Sequence, residues 1–118
     1  MTDKELVQIC ESLSNPQRLR LLKLMIRSQG PMTVSLIAQE AGFLIGTTSL
    51  YLKNLESSRL IKGIRTGSYK LFSPCLERIE EIEKTFKNNL EEVNLNLDKD
   101  SDYLNEEEES EDKDANDC

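Results

Sequence analysis

Along the first quarter of the chain, apolar residues recur every three or four positions, which is the spacing of one face of an α-helix. This period predicts one helix over residues 3–13 and a second over residues 16–28. Asn15 followed by Pro16 supports the second start, because asparagine is a good N-cap and proline suits the first helical position. The predicted buried positions are Leu6, Ile9, Cys10 and Leu13 in the first helix and Leu19, Leu22, Met25 and Ile26 in the second.

The segment from Thr33 to Glu56 has the pattern of two short helices joined by a tight turn. Gly42 is predicted to end the first of them, because glycine enters the left-handed region without steric cost. The second is predicted over residues 46–58, with Leu52 and Leu55 buried. This pattern is typical of a helix-turn-helix, whose second helix enters the DNA major groove. A helical hairpin inside a small core has the same leucines and glycine, and is the alternative.

After residue 58 the pattern changes from helical spacing to strand spacing. Residues 60–65 and 68–73 read as two strands, and Thr66-Gly67 between them reads as a tight turn. Two strands with a short turn form a β-hairpin. A hairpin over residues 60–73, directly after a helix-turn-helix, is a wing.

A long final helix is predicted over residues 74–97, with a narrow apolar stripe and otherwise charged faces. A helix this long has little of its own small domain to bury against, so we expect it to pair with a second copy of the chain. The alternative is that it folds back on its own domain. The residues assigned to dimerisation are Leu6 and Ile9 near the N-terminus and Leu76, Ile79, Ile82, Phe86, Leu90 and Val93 on the last helix.

The net charge of −7 conceals a segregation of the two signs. Residues 1–90 hold 13 Lys and Arg against 9 Asp and Glu, whereas residues 91–118 hold 2 against 13. We therefore divide the chain into a folded domain over residues 1–97 and an acidic disordered tail over residues 98–118. The basic domain suits phosphate backbones. The tail has three open roles: DNA mimicry, recruitment of an unknown protein partner, or solubility.

The composition argues against several classes of protein. No apolar run reaches 18 residues and the N-terminus is polar, so we expect no membrane span, no secretory signal and a cytoplasmic location. The chain has no histidine, no phosphate-binding glycine loop and no nucleophile beside an evident base, so we expect neither an enzyme nor a cofactor. Cys10 and Cys75 are either a redox pair brought together in a dimer or two inert small residues.

Three segments of the chain together resemble the ArsR/SmtB family of winged helix-turn-helix repressors. Residues 13–22 look like that family's opening L-x-x-P-x-R-x-x-I-L, and residues 49–55 are similar to its recognition-helix pattern S-x-H-L-x-x-L. Residues 60–71 look like its wing. The resemblance implies a mainly α (α+β) fold: four helices, a β-hairpin wing and a long C-terminal dimerisation helix.

The resemblance also implies a function, a dimeric regulator of the repressor type that binds double-stranded DNA. The implied DNA contacts are Thr47, Thr48, Ser49, Leu50 and Lys53 on the recognition helix and Lys62, Arg65, Thr66 and Lys70 at the wing. Residues 32–36 lack the cysteines of the family's metal-thiolate motif, and without histidine its other metal site is also excluded. Leu44 and Ile45 are apolar where the family is commonly polar, so the alternative is a protein-interaction module that has lost DNA binding.

Overall fold

The computed structural model describes the backbone of residues 1–99 and the side-chain surroundings of residues 1–89. Its elements are α1 (Asp3–Ser12), α2 (Pro16–Arg27), α3 (Val34–Ala41), α4 (Ile45–Ser57), β1 (Ile61–Thr66), β2 (Tyr69–Pro74) and α5 (Leu76–Lys99). This order confirms the predicted winged helix-turn-helix fold. The predicted acidic tail lies outside the described residues except for its first two positions, which continue α5, so the domain boundary stays a prediction.

Side-chain caps fix where three of the helices begin. The hydroxyl of Thr2 accepts from Glu5 N while the Glu5 carboxylate accepts from Thr2 N, a capping box at the start of α1. Asn15 Oδ1 accepts from the first turn of α2, and Thr33 Oγ1 accepts from the first turn of α3. These bonds satisfy backbone N–H groups that a helix start leaves without partners.

The core lies between the helices and the inner face of the hairpin, and two of the predicted core positions are wrong. Cys10 is exposed, because α1 buries a narrow arc around Ile9 and Cys10 lies about 100° away on the helix. Ile26 is also exposed, because α2 turns Leu21, Leu22 and Met25 inward instead. The residues buried in the apolar core are Met1, Ile9, Leu21, Leu22, Met25, Met32, Ile37, Ala41, Leu52, Leu55, Leu60, Ile61 and Phe72.

The hairpin is attached to the helical domain through its second strand. β1 and β2 pair in antiparallel register with Thr66 opposite Tyr69, and Gly67 takes a φ of 63° in the connecting turn. Beyond that pairing, Met32 N donates to Phe72 O at 2.9 Å and Phe72 N donates to Met32 O at 2.8 Å. This bridge holds the wing against the segment between α2 and α3.

The end of α4 sets the direction in which the chain enters the wing. Leu60 N donates to Leu55 O at 3.1 Å and Arg59 N donates to Glu56 O at 3.0 Å, the two bonds of a Schellman motif. Arg59 holds the left-handed position with a φ of 63°, where glycine is more usual. The wing therefore starts at a fixed angle to α4.

A small charge network joins α1 to α5 and to the end of α4. Glu5 Oε2 lies 3.7 Å from Arg78 Nη2 and 3.4 Å from Arg59 Nη2, and Arg78 is almost fully buried. The hydrogen bond from the Thr2 backbone, followed by the positive charge of Arg78, holds the pKa of Glu5 below its ordinary value of 4.5. The ionised form of Glu5 is therefore favoured in the folded protein.

Replacing Glu5 by glutamine is expected to lower the free energy of unfolding at pH 7 by about 0.5–1 kcal/mol, since the pair is partly exposed. A carboxyl group whose pKa is lower in the folded than in the unfolded state stabilises the fold at pH values above its unfolded pKa. This stabilisation is lost as the pH falls through the folded-state pKa. The deficit of Glu5→Gln should therefore shrink below pH 4.5. Urea unfolding at pH 7 and at about pH 3.5 measures it.

Glu83→Gln is the matched control, because Glu83 is exposed in the middle of α5. It should change the free energy of unfolding little at either pH. An equal deficit for Glu5→Gln at both pH values would contradict the ionic account of Glu5.

Candidate nucleic-acid interface

The turn between α3 and α4 has helix-turn-helix geometry. Gly42 adopts a φ of 76°, and its N–H donates to Ala38 O at 2.9 Å, so α3 ends there as predicted. Phe43 N also donates to Ala38 O, at 3.0 Å, and Leu44 is the N-cap of α4. Both bonds return to the last turn of α3, so the angle between the two helices is fixed by the backbone.

Aromatic and cationic side chains pack behind this turn. The rings of Phe43 and Tyr51 meet edge to face with centroids 6.2 Å apart, and the Arg20 guanidinium lies 5.3 Å from the Phe43 centroid. The Tyr51 hydroxyl donates to Gln17 Oε1 at 2.9 Å, which ties α4 to α2. Tyr51 occupies the position of the histidine in the pattern S-x-H-L-x-x-L, and in this structure it packs against Phe43 behind the turn.

The two faces of α4 have opposite roles. Its buried face packs against α2, α3 and β1 through Thr48, Leu52 and Leu55. Its opposite face points to solvent and consists of Gly46, Ser49, Leu50, Lys53 and Ser57. This set recurs at i, i+3, i+4, i+7 and i+11, so it forms one continuous stripe. We call it the α4 outer face.

Four of the five predicted contacts on α4 are at least partly accessible, and the fifth is not. Ser49, Leu50 and Lys53 lie on the α4 outer face, and Thr47 beside it is half-buried. Thr48 is 0% exposed and its hydroxyl donates to Leu44 O at 2.8 Å, so the structure contradicts the assignment of Thr48 to the DNA contacts. The reason is helical phase, because Thr48 is four residues before Leu52 on the buried face.

On the wing, the structure separates Lys70 from the other predicted contacts. Lys62, Arg65 and Thr66 are exposed on β1. Lys70 is half-buried: its Nζ lies 3.3 Å from Glu56 Oε1 and 5.3 Å from the Phe72 ring centroid. The ammonium group of Lys70 is thus paired with Glu56, whereas the side chains of Lys62, Arg65 and Thr66 are exposed.

The Lys70 pair crosses the hairpin directly over Gly63. A Cβ atom at residue 63 would overlap the Lys70 side chain, and would lie 3.1 Å from Phe72 and 3.2 Å from Glu56. A side chain at residue 63 would therefore displace the end of Lys70 from its position beside Glu56. Lys70 and Arg65 are also cross-strand partners, so two like charges face each other on neighbouring strands, and Glu56 pairs with the Lys70 member.

The residues assigned to dimerisation divide into four groups. Ile9 is 2% exposed within a single protomer, so its assignment to a dimer interface is wrong in this conformation. Leu6, Ile79 and Ile82 are half-buried against the protomer's own core. Leu76 and Phe86 are exposed, and side-chain positions at Leu90 and Val93 lie outside the described residues. Val7 is an exposed apolar residue on α1 that the sequence pattern missed, because it falls off the helical stripe.

The two candidate redox cysteines lie in different surroundings. Cys10 is exposed on α1, whereas Cys75 is buried at the start of α5 and its N–H donates to Leu60 O at 2.9 Å. The interpretation as a small buried residue therefore fits Cys75 and not Cys10. Within the described residues, no three His, Cys, Asp or Glu side chains are grouped so as to hold a metal ion. No described helix is long and apolar enough to cross a membrane.

Residues 15–62 match the family model of the bacterial regulatory protein, arsR family, a stretch from the N-cap of α2 to the start of the wing. A comparison with the curated proteins finds no match. Similar solved structures agree with the fold, including an ArsR-like transcriptional regulator from Rhodococcus sp. RHA1. It is 16% identical, with a TM-score of 0.73, and the alignment covers 80% of this chain and 88% of that one.

A second similar structure comes from Mycobacterium bovis. It is the homodimeric winged helix-turn-helix DNA-binding domain, fragment 1–100, of a possible ArsR-family transcriptional regulator. It is 24% identical, with a TM-score of 0.60, over 76% of this chain and 82% of that one. At this level of identity the similarity establishes the shared fold.

Proposed function

We propose that the chain is an ArsR-like winged helix-turn-helix DNA-binding regulator that acts as a homodimer, with α4 in the major groove and the wing along the adjacent backbone. One observation carries the proposal: α4 buries one face completely and presents the α4 outer face as a continuous solvent-facing stripe. Repression is the proposed outcome, because a dimer that occupies its operator excludes other proteins from the same DNA.

The distribution of exposed cations supports DNA as the ligand. Lys53 lies on the α4 outer face, and Lys62 and Arg65 are exposed on the wing that follows α4. Phosphate contacts from such side chains position a protein on the duplex, and groups on the inserted helix read the base edges. The polar groups of Ser49 and Thr47 near the start of α4 supply donors for phosphates or bases.

A dimer would place two copies of α4 on one duplex. Leu76 and Phe86 expose apolar surface on α5, and pairing of α5 with its copy would cover it. The similar domain from Mycobacterium bovis is homodimeric. Because a two-fold dimer reads two equivalent half-sites, the proposed operator is a pseudo-palindrome with half-sites about one helical turn apart, roughly 10 base pairs, or a multiple of it.

The double variant Lys53→Ala with Arg65→Ala tests the proposed footprint. If both side chains bind phosphates, the slope of log K against log salt should become shallower by about two per protomer, because each substitution leaves one phosphate without its cation. Affinity at low salt should fall as well. Binding of the full chain to duplex DNA across a salt series measures both quantities.

The matched control removes two exposed lysines that lie outside α4 and the wing, Lys4 on α1 and Lys84 on α5. Lys4→Ala with Lys84→Ala changes the net charge equally and should leave the salt slope close to that of the wild type. Equal slopes for the two double variants would show that the α4 outer face and the wing are not the footprint.

A second candidate function is a protein-interaction module. It is favoured by Leu44 and Ile45, both exposed at the start of α4, and by Lys53 as the one cation of the described α4 outer face. Exposed apolar residues in a group are typical of protein-binding surfaces. The salt series separates the two functions, because the module would not bind duplex DNA at low salt.

A further inference from the structure

Leu50 is an unusual residue for a helix that enters a major groove. It is 69% exposed at the centre of the α4 outer face, between Gly46 one turn earlier and Lys53 one turn later. Its side chain offers no hydrogen-bonding group, so it cannot read the donors and acceptors of base edges. Because most of its surface is exposed, Leu50 contributes little to the packing of its own domain.

We propose that Leu50 recognises the 5-methyl group of a thymine, so that each operator half-site requires thymine under Leu50. This inference rests on the proposed function and names the base that the site selects. The thymine methyl is the apolar group on the major-groove edges of the four bases, whose other groups there are donors and acceptors. An apolar contact with that methyl is the readout available to leucine.

The neighbours of Leu50 allow the close approach that a methyl contact needs. Gly46 has no side chain, and apart from its chain neighbours and the adjacent backbone of α4 no described atom lies within 4 Å of the position that a Cβ would occupy there. Ser49 is short, and Lys53 is long enough to reach a phosphate beside the same base. The base edges in the major groove can therefore approach the first two turns of α4 closely, and Leu50 is the large side chain that would contact them.

Leu44 extends the apolar surface toward the turn. It is 79% exposed at the N-cap of α4, and no side-chain capping bond is formed there within the described residues. Leu44 and Leu50 together form an apolar tip at the start of α4, and a protein partner could also bind such a surface. DNA is the favoured ligand because Lys53 lies on the α4 outer face and Lys62 and Arg65 are exposed on β1, the element that follows α4. These cations can bind the phosphates beside the groove.

The test begins with a duplex selected from a random pool by the full wild-type chain. Thymines in that duplex are then replaced one at a time by deoxyuridine, which lacks only the methyl group. At one thymine per half-site, the replacement should weaken wild-type binding about fourfold, the effect of exposing one methyl-sized group. Leu50→Ala should bind the original duplex more weakly and should show no loss with deoxyuridine at that position.

Ile26→Ala is the matched control, because Ile26 is an exposed aliphatic residue on α2, away from α4. It should keep the full deoxyuridine effect. If wild-type binding is sequence-specific but insensitive to deoxyuridine everywhere, or if Leu50→Ala stays as sensitive as the wild type, the thymine inference is overturned and the proposed function stands. If no duplex is enriched or bound at low salt, the proposed function itself fails, and the apolar tip becomes a protein-docking surface.

Discussion

Replacing Phe86 by aspartate is expected to convert the proposed homodimer to a monomer and to weaken DNA binding about 100-fold or more. Phe86 is 52% exposed on α5, so the protomer does not need it for its own core, whereas a paired α5 would bury it. Two aspartates facing each other in such an interface would be desolvated and mutually repulsive. A monomer loses the second half-site and the effective concentration that links the two binding events.

Sedimentation analysis of the full chain gives the mass, and binding to a selected duplex gives the affinity. Asn88→Asp is the matched control, since it adds the same charge at an exposed position about 160° away from Phe86 around the helix. It should remain a dimer. A Phe86→Asp variant that stays dimeric would place the interface elsewhere, and a monomeric wild type would favour the alternative in which α5 serves its own domain.

The largest expected effect on stability comes from Leu55→Ala, with a loss of about 3 kcal/mol in the free energy of unfolding. Leu55 is 0% exposed, on the buried face of α4 that packs against α2, α3 and β1. The substitution removes buried methyl groups and leaves a cavity in a small core. A domain of this size has only about 5–15 kcal/mol to lose, so this one substitution would remove a substantial part of its stability.

Leu50→Ala is the internal control for this measurement, because the same substitution is made on the opposite face of the same helix. It should change the free energy of unfolding by less than about 0.5 kcal/mol. Urea unfolding followed by circular dichroism compares the two variants. Similar losses for both would contradict the assignment of the buried and outer faces of α4, and with it the surface proposed for DNA.

Within residues 1–99, local signals in the sequence were sufficient to predict each helix and the hairpin. Asn15, Thr33 and Gly42 mark helix ends through hydrogen bonds or backbone conformations that involve only near neighbours in the chain. Such signals do not depend on the rest of the fold. The order of elements therefore followed from the residues, and the match of residues 15–62 to the arsR family model confirms the resemblance.

Helical period proved less informative about which residues occupy each face. The stripes on α1 and α2 had the correct period but an incorrect centre, which misplaced Cys10 and Ile26. Thr48 was misplaced because a hydroxyl near a helix start suggests a polar contact, whereas here it donates to the backbone of Leu44. A short helix has few apolar residues, so its burial arc is fixed by the elements that pack on it.

Contacts between distant parts of the chain could not be predicted from one sequence. The bridge of Met32 with Phe72 and the pairing of Lys70 with Glu56 join residues on different elements. The second contact changes the candidate site, because it removes one cation from the predicted wing surface. Gly63 is the one local sign of it, since glycine within a strand often marks a close approach of other groups.

Binding of the full wild-type chain to mixed duplex DNA across a salt series, with the mass determined in the same buffers, tests whether this chain is a dimeric DNA-binding protein. We expect a dimer whose affinity is measurable at low salt and falls steeply as salt rises, because phosphate contacts release counterions. A dimer that shows no DNA binding at low salt would contradict it and would assign the exposed start of α4 to a protein partner.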